Sequence, residues 1–370
     1  MASNGEGVLL VVSATLGKSA VDGPRKDYLE LQRRLNATIL DRTSIAQSRV
    51  GRLLARVCGA SVGQAWVAFR YRRGYRAIVT DGEHIAIPLA LLLKLSRSRT
   101  RHITIGHRIS ASKKRPFFRW LKVQSHIDRI ALHSRRQHEL AAESLGISED
   151  RLVLMPYQVD AAYWQQEPVP EERLICSAGL EFRDYPTLMR AVDGLDVKVV
   201  IGAASHWSKR RNTAEGQALP ENVEVSAFDY PALRRLYSRA AIVVVPLHDT
   251  DFQAGITTIL EAMAVGKPVI VTHSLGQTDV VEDRRSTTRG ATPRLRPLSL
   301  VRSISEAAGV EVEATGFYVP PQDDAELKRA ITYLLDHPEQ RRKLGEAGRR
   351  TVERLLTVDQ FADRFRRLVA

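Results

Sequence analysis

The sequence predicts an α/β protein made of two doubly wound, parallel-sheet domains, and three observations carry that expectation. The chain has 370 residues, more than one hydrophobic core usually serves, so two domains are expected. Short apolar runs alternate with longer helical patterns in both halves, as in a parallel sheet covered on both faces. Between the halves, residues 155–170 carry Pro156, Pro168 and Pro170 and interrupt the alternation.

In chain order, Val8–Ser13, Ala77–Thr80, His102–Ile105 and Ile130–His133 read as buried strands, because apolar residues dominate each short run. Asp27–Leu35 and Ile85–Leu95 show helical spacing. A hinge is expected near 157–170. Beyond it, Leu174–Ser177, Val197–Ile201, Val223–Val225, Ile242–Val245 and Val269–Thr272 read as strands. Pro186–Val192, Ala232–Ala240, Thr257–Ala264 and Asp324–His337 read as helices. The expected domains are 1–163 and 164–355, with a last amphipathic helix, Val358–Leu368, packing back on the first (356–370). Arg284–Arg302 holds six arginines and two prolines with little periodicity, and reads as an inserted loop.

Composition narrows the function classes. Hydrophobic residues make up 44% of the chain, an ordinary globular share. No apolar run approaches the ~20 residues that span a bilayer, and Met1–Gly7 has no basic segment leading into an apolar run, so no signal peptide is expected. Cys58 and Cys176 are the only cysteines and lack metal-ligand spacing. These features point to a cytoplasmic protein without disulfides. A net charge of +13 and a pI near 9.9 attract anions in general. No nucleic-acid module accompanies the charge, so no nucleic-acid partner is expected.

The segment Pro246–Val271 carries the chemistry. It reads as strand, loop, helix, glycine turn and strand. The helix opens near Gly255–Ile256, where free N–H groups and the positive end of the dipole favour an anion. Gly255 permits close backbone approach. Glu261 stands eight residues after Gln253, about two helical turns on, so a loop side chain and a helix carboxylate can hold two parts of one extended ligand. A carboxylate suits a ribose diol.

Gln253-Ala254-Gly255-Ile256, then Glu261-Ala262-Met263-Ala264-Val265-Gly266-Lys267-Pro268-Val269-Ile270, resembles the E-G-F-G-x4-E-A-M-A-x-G-x-P-V-I pattern of family 4 glycosyltransferases. The resemblance implies a GT-B fold: two Rossmann-like doubly wound domains facing an interdomain cleft, the first binding acceptor and the second binding a nucleotide sugar. It also implies a metal-independent hexosyl transfer that retains anomeric configuration, without a cofactor. Gln253 replaces the family's first Glu, which touches the donor sugar. Glu261 matches the second, which binds ribose. Ala254, Gly255 and Ile256 would supply N–H groups to the diphosphate.

Further landmarks follow in order. Gly179 resembles the glycine that ends the strand at the donor cleft, and Gly202 the glycine that ends the next. Arg183 falls where the family's phosphate-binding Lys stands, although Leu180 replaces the Arg expected after Gly179. Ala227 and Phe228 resemble the turn beside the base, and Phe228 reads equally as core. Gly276–Val281 and Thr315–Pro321 resemble two later motifs. In the first half, Thr104-Ile105-Gly106-His107 resembles the strand that ends in a His near the transferred sugar. Gly17 would stand for the glycine loop facing the donor. Asp81 and Glu83 end another strand, where acceptor contacts are expected, and both read equally as N-terminal caps of the next helix.

Catalysis would thus rest on His107, Arg183 and Gln253, by positioning and diphosphate stabilisation. Asp249-Thr250-Asp251 has the spacing of a metal motif but is expected to cap the loop. UDP or GDP sugars are the expected donors, UDP-glucose first. Lys113–Lys122 mixes cations with aromatics, as a face for anionic lipid would and as a helix with core-facing aromatics also would. Two rival readings stay open: a binding protein that has lost turnover, and a nucleotide-sugar epimerase.

Overall fold

The computed structural model describes residues 7–17, 22–202, 219–283 and 299–370. The chain divides into two compact units. One comprises Met1–Val21, Arg25–Pro156 and Asp359–Ala370, the other Asp22–Pro24 and Tyr157–Val358.

The first unit contains β1 (Val8–Val11), β2 (Ala37–Leu40), β3 (Ala77–Thr80), β4 (Arg101–Gly106), β5 (Arg129–Leu132) and β6 (Leu152–Leu154). All pair in parallel, in the order β2-β1-β3-β4-β5-β6. Alternate residues of β1 face opposite cores, as the two-residue period of a strand requires. Val8 and Leu10 pack with the helix Val358–Val369 through Phe361, Ala362, Phe365 and Val369. Leu9 and Val11 pack with the helices Ala60–Tyr71 and Glu83–Leu95.

The second unit contains β7 (Leu174–Ala178), β8 (Lys198–Gly202), β9 (Val223–Ser226), β10 (Ile242–Val245), β11 (Val269–Thr272) and β12 (Gly316–Val319). The parallel order is β12-β11-β10-β7-β8-β9. Here too the sheet is covered twice: Leu174 and Cys176 face one core and Ile175 the other. Both sheets are doubly wound, as the alternating pattern predicts.

Three boundaries differ from expectation. Residues 157–163 belong to the second unit, because Val159, Ala161 and the neighbouring Trp164 join its core. The helix expected at Ile85 begins at Glu83 after an extended Gly82. Arg302 lies in the helix Leu300–Ala308, capped by Ser299; residues 284–298 of the expected loop lie outside the described residues. Among the described residues, no helix is long and apolar enough to cross a membrane.

Each sheet reverses its strand order once, at β1/β3 and at β7/β10. Ligands of such sheets bind beyond the carboxyl ends of the strands at that reversal.

Candidate functional site

At the β7/β10 reversal the chain leaves β7 through Gly179, at φ 99°, whose N–H donates to the Gly202 carbonyl at 2.9 Å. Residues 182–184 then pair with 246–248: the His248 N–H donates to Phe182 O at 3.0 Å and the Asp184 N–H to Pro246 O at 3.1 Å. This pairing turns Arg183 inward, where it is buried. Its Nε donates to Ala178 O at 2.9 Å, Nη1 to Glu181 O at 2.9 Å and Nη2 to Thr258 Oγ1 at 3.0 Å. Burial pulls its pKa below the usual arginine value, while Tyr185, Tyr237 and Glu261 nearby oppose the shift.

Two glycines make room for the guanidinium. A Cβ on Gly179 would stand 2.5 Å from Nη2, and one on Gly255 would stand 3.1 Å from Nη1 and 2.8 Å from Val245. Gly255 has φ 75° and opens the helix Ile256–Val265, whose N-terminus is capped by no side chain among the described residues. A cation, a helix N-terminus and glycine backbone thus converge, an arrangement suited to a phosphate.

Beside it, Gln253 is buried, and neither atom of its amide has a hydrogen-bond partner among the described residues. Buried amides are ordinarily bonded, so this one is left with an unused donor and an unused acceptor, both enclosed. Gln277 fixes the loop by donating from Nε2 to Ala254 O at 2.8 Å, and Asp249 accepts from the Leu275 N–H at 2.8 Å. On the helix, Glu261 is partly exposed, and its Oε2 accepts from the Tyr237 hydroxyl at 3.2 Å. Gly202 is buried, with Phe228 next to it: a Cβ there would meet the Phe228 ring at 3.4 Å. Phe228 is half-buried against the core and Ala227 is exposed. The second unit therefore gathers Gly179, Gly202, Arg183, Ala254, Gly255, Ile256, Gln253, Glu261, Ala227 and Phe228 around the carboxyl ends of its central strands.

The first unit gathers His107, Asp81 and Glu83. Asp81 bridges β1 and β3: its Oδ2 accepts from the Ser13 N–H at 2.6 Å and the Ser13 hydroxyl at 2.8 Å. Its Oδ1 is buried with no partner among the described residues. His107 is exposed, and its Nε2 lies 2.9 Å from Asp81 O. Gly17, also exposed, stands at φ 83° in the loop after β1, where the preceding Leu16 N–H donates to Asp41 at 3.0 Å.

Glu83 is a correction. Expected among acceptor contacts or caps, it is buried, and Gly82 occupies the cap position. Its carboxylate accepts from the His107 N–H at 3.1 Å, the Arg108 N–H at 2.7 Å and Lys114 Nζ at 2.7 Å. Burial opposes its charge, but Lys114 and then His107 hold its pKa down to about 2. Glu83 orders the loop after β4. Asp81 is not a cap either, since its carboxylate is turned to Ser13. In Lys113–Lys122, Phe118 is core while Trp120 is 80% exposed.

Sequence reasoning missed Ser13, Thr258 and Tyr237, which position Asp81, Arg183 and Glu261. Thr258 lies inside the matched loop–helix segment and could have been suspected from it. The other two carry no signal of their own, because their partners lie 68 and 24 positions away.

Residues 188–351 match the model of the family "Glycosyl transferases group 1". No curated protein matches the sequence. Among solved structures, the chain is similar to Anabaena HepE in complex with UDP and glucose, with a TM-score of 0.66 and 12% identity over 98% of each chain. It is similar to a glycosyltransferase from Rickettsia africae ESF-5, with a TM-score of 0.65 and 14% identity over 98% of each chain. It is also similar to sucrose-phosphate synthase from Thermosynechococcus elongatus, with a TM-score of 0.65 and 18% identity over 98% of each chain. At these identities the likeness establishes the fold, which is GT-B. The family match over the second unit, together with that fold, supports a glycosyltransferase of group 1.

Proposed function

We infer that the chain is a cytoplasmic, retaining and metal-independent hexosyltransferase that takes its sugar from a nucleotide sugar, UDP-glucose first among candidates. The observation that carries this reading is the buried Arg183 guanidinium between Gly179 and Gly255, beside the unpartnered Gln253 amide. The diphosphate would lie over the two glycines and the N-terminus of helix Ile256–Val265, with ribose against Glu261 and sugar hydroxyls against Gln253. The C1–diphosphate bond breaks as the acceptor oxygen bonds to C1 from the same face, and the acceptor proton passes to the departing phosphate. The chain's residues contribute positioning and positive potential where charge develops. Asp81 and His107 are the candidate acceptor contacts of the first unit. The structure of HepE with UDP and glucose supports the choice of donor by analogy.

A thermal-shift and transfer assay with UDP-glucose, GDP-glucose and UDP tests this. A selective shift with UDP-glucose, lost in Glu261→Ala, is expected, because a ligand that binds only the folded state stabilises it by mass action. Absence of any shift with every nucleotide sugar overturns the reading. One observation favours a second reading, a binding protein without turnover: Gln253 cannot carry the charge of a carboxylate. A UDP-glucose shift with neither transfer nor hydrolysis would select it, and a changed sugar without acceptor would select an epimerase.

A further inference from the structure

The first unit presents a surface that the candidate site does not use. The helix Arg49–Cys58 packs on the helix Ala60–Tyr71 through glycines: a Cβ on Gly63 would meet Gly51 O at 2.6 Å, and one on Gly51 would meet Val67 at 3.1 Å. Its other side is open. Val50 is 47% exposed, Leu53 60% and Val57 72%. Single exposed aliphatics need no account, but these three share one helix, at i, i+3 and i+7, and form one stripe.

Arg49, Arg52 and Arg56 are also exposed and repeat the same spacing one residue earlier. At 3.6 residues per turn the two stripes lie about 100° apart, so they divide the outward face between them. The adjoining sequence adds positive charge only. Residues 42–76 contain eight arginines and no Asp, Glu or Lys.

We propose that helix Arg49–Cys58 is a docking face for an anionic phospholipid bilayer. The helix lies in the plane of the headgroups, with Val50, Leu53 and Val57 entering the acyl boundary and the three arginines on lipid phosphates. The charge selects the partner's sign, and the aliphatic stripe selects its kind. A polyanion dissolved in water matches the arginines but leaves the aliphatics uncovered, whereas a bilayer satisfies both stripes at once. A guanidinium pairs bidentately with phosphate.

Cys58 makes the test local. It is exposed at the end of this helix while Cys176 is buried, so an environment-sensitive fluorophore can be placed there alone on the full chain. With vesicles of phosphatidylglycerol and phosphatidylcholine, the emission is expected to shift to the blue and the protein to sediment with the lipid. Phosphatidylcholine alone and duplex DNA should produce neither. Leu53→Glu should abolish both signals. Arg52→Gln and Arg56→Gln should each weaken partition about fivefold, and more at low salt than at high salt. The Leu53 side chain is exposed, so an unchanged Tm is expected and distinguishes lost docking from unfolding; Val57→Ser serves as a second variant. Three results would overturn the proposal: no shift with anionic vesicles, an equal shift with neutral ones, or a shift with DNA alone. A concentration-dependent dimer that protects the Cys58 label without lipid would also overturn it, since a second copy would then be the occupant.

Discussion

The two reversal points solve one topological problem with opposite chemistry. At β1/β3 a carboxylate closes the gap, Asp81 against Ser13, and around it stand Glu83, His107, Lys114 and the buried His133. At β7/β10 a guanidinium closes the gap; it donates to backbone carbonyls and to Thr258 between two glycines, with Tyr185, Tyr237 and Glu261 farther out. The first region is a cluster of titratable side chains. The second is a backbone frame around a buried guanidinium. The difference teaches that a doubly wound sheet dictates where a ligand lies but not what recognises it. The frame of the second suits the phosphate proposed for it, and the side chains of the first suit a ligand held by hydrogen bonds and charge.

The comparison predicts that acid should damage the first unit more than the second. Burial holds His102 at about 4 and His133 at about 3, both below the usual 6.5. Their folded-state pKa values lie below the unfolded ones, so the unfolded chain binds more protons as pH falls from 6.5. Stability is complete above 6.5 and drains away towards 4 and 3. At pH 5 the pair should cost about 4 kcal/mol. Hydrogen exchange at pH 7.5 and 5, resolved by strand, should show β4 and β5 loosening before β7 and β10; equal loosening breaks the contrast.

Gly255→Val should be next in size. It sets a branched residue at φ 75° and against Val245 and Arg183, at about 3 kcal/mol, and should remove donor binding measured by calorimetry. Retained binding would show that the frame is not the recognition element. Glu83→Gln should cost about 2 kcal/mol by leaving Lys114 half-buried without its anion. That loss should shrink as pH falls from about 4.5 towards 2, where the wild-type carboxylate itself takes up a proton. Gln253→Ala should change Tm least, by less than about 1 kcal/mol, because the amide bonds to no described residue; its effect should appear in discrimination between sugars. A large loss of stability there would make Gln253 part of the frame rather than of the site.

The contrast also explains what was legible in the sequence. Strands buried on both faces announce themselves as apolar runs: Ala77–Thr80, Ile242–Val245 and Val269–Thr272 have the expected ends. Edge strand β2, Ala-Thr-Ile-Leu, is only half-buried, and its pattern is too short and mixed to stand out. The second region was readable because its loop and helix are contiguous, so Gln253 to Gly266 lie together in sequence as in space. The first was read less well. Glu83 had two plausible surface roles, and only tertiary structure shows its carboxylate reaching 24 and 31 positions along the chain, to His107 and Lys114.

The helix Val358–Val369 closes one face of the first sheet, with Phe361 and Phe365 against residues of β1, β3 and β4. Residues 358–369 therefore complete the core that residues 8–11 begin. Removing that helix would uncover Val8 and Leu10 while leaving every strand of the second unit in place.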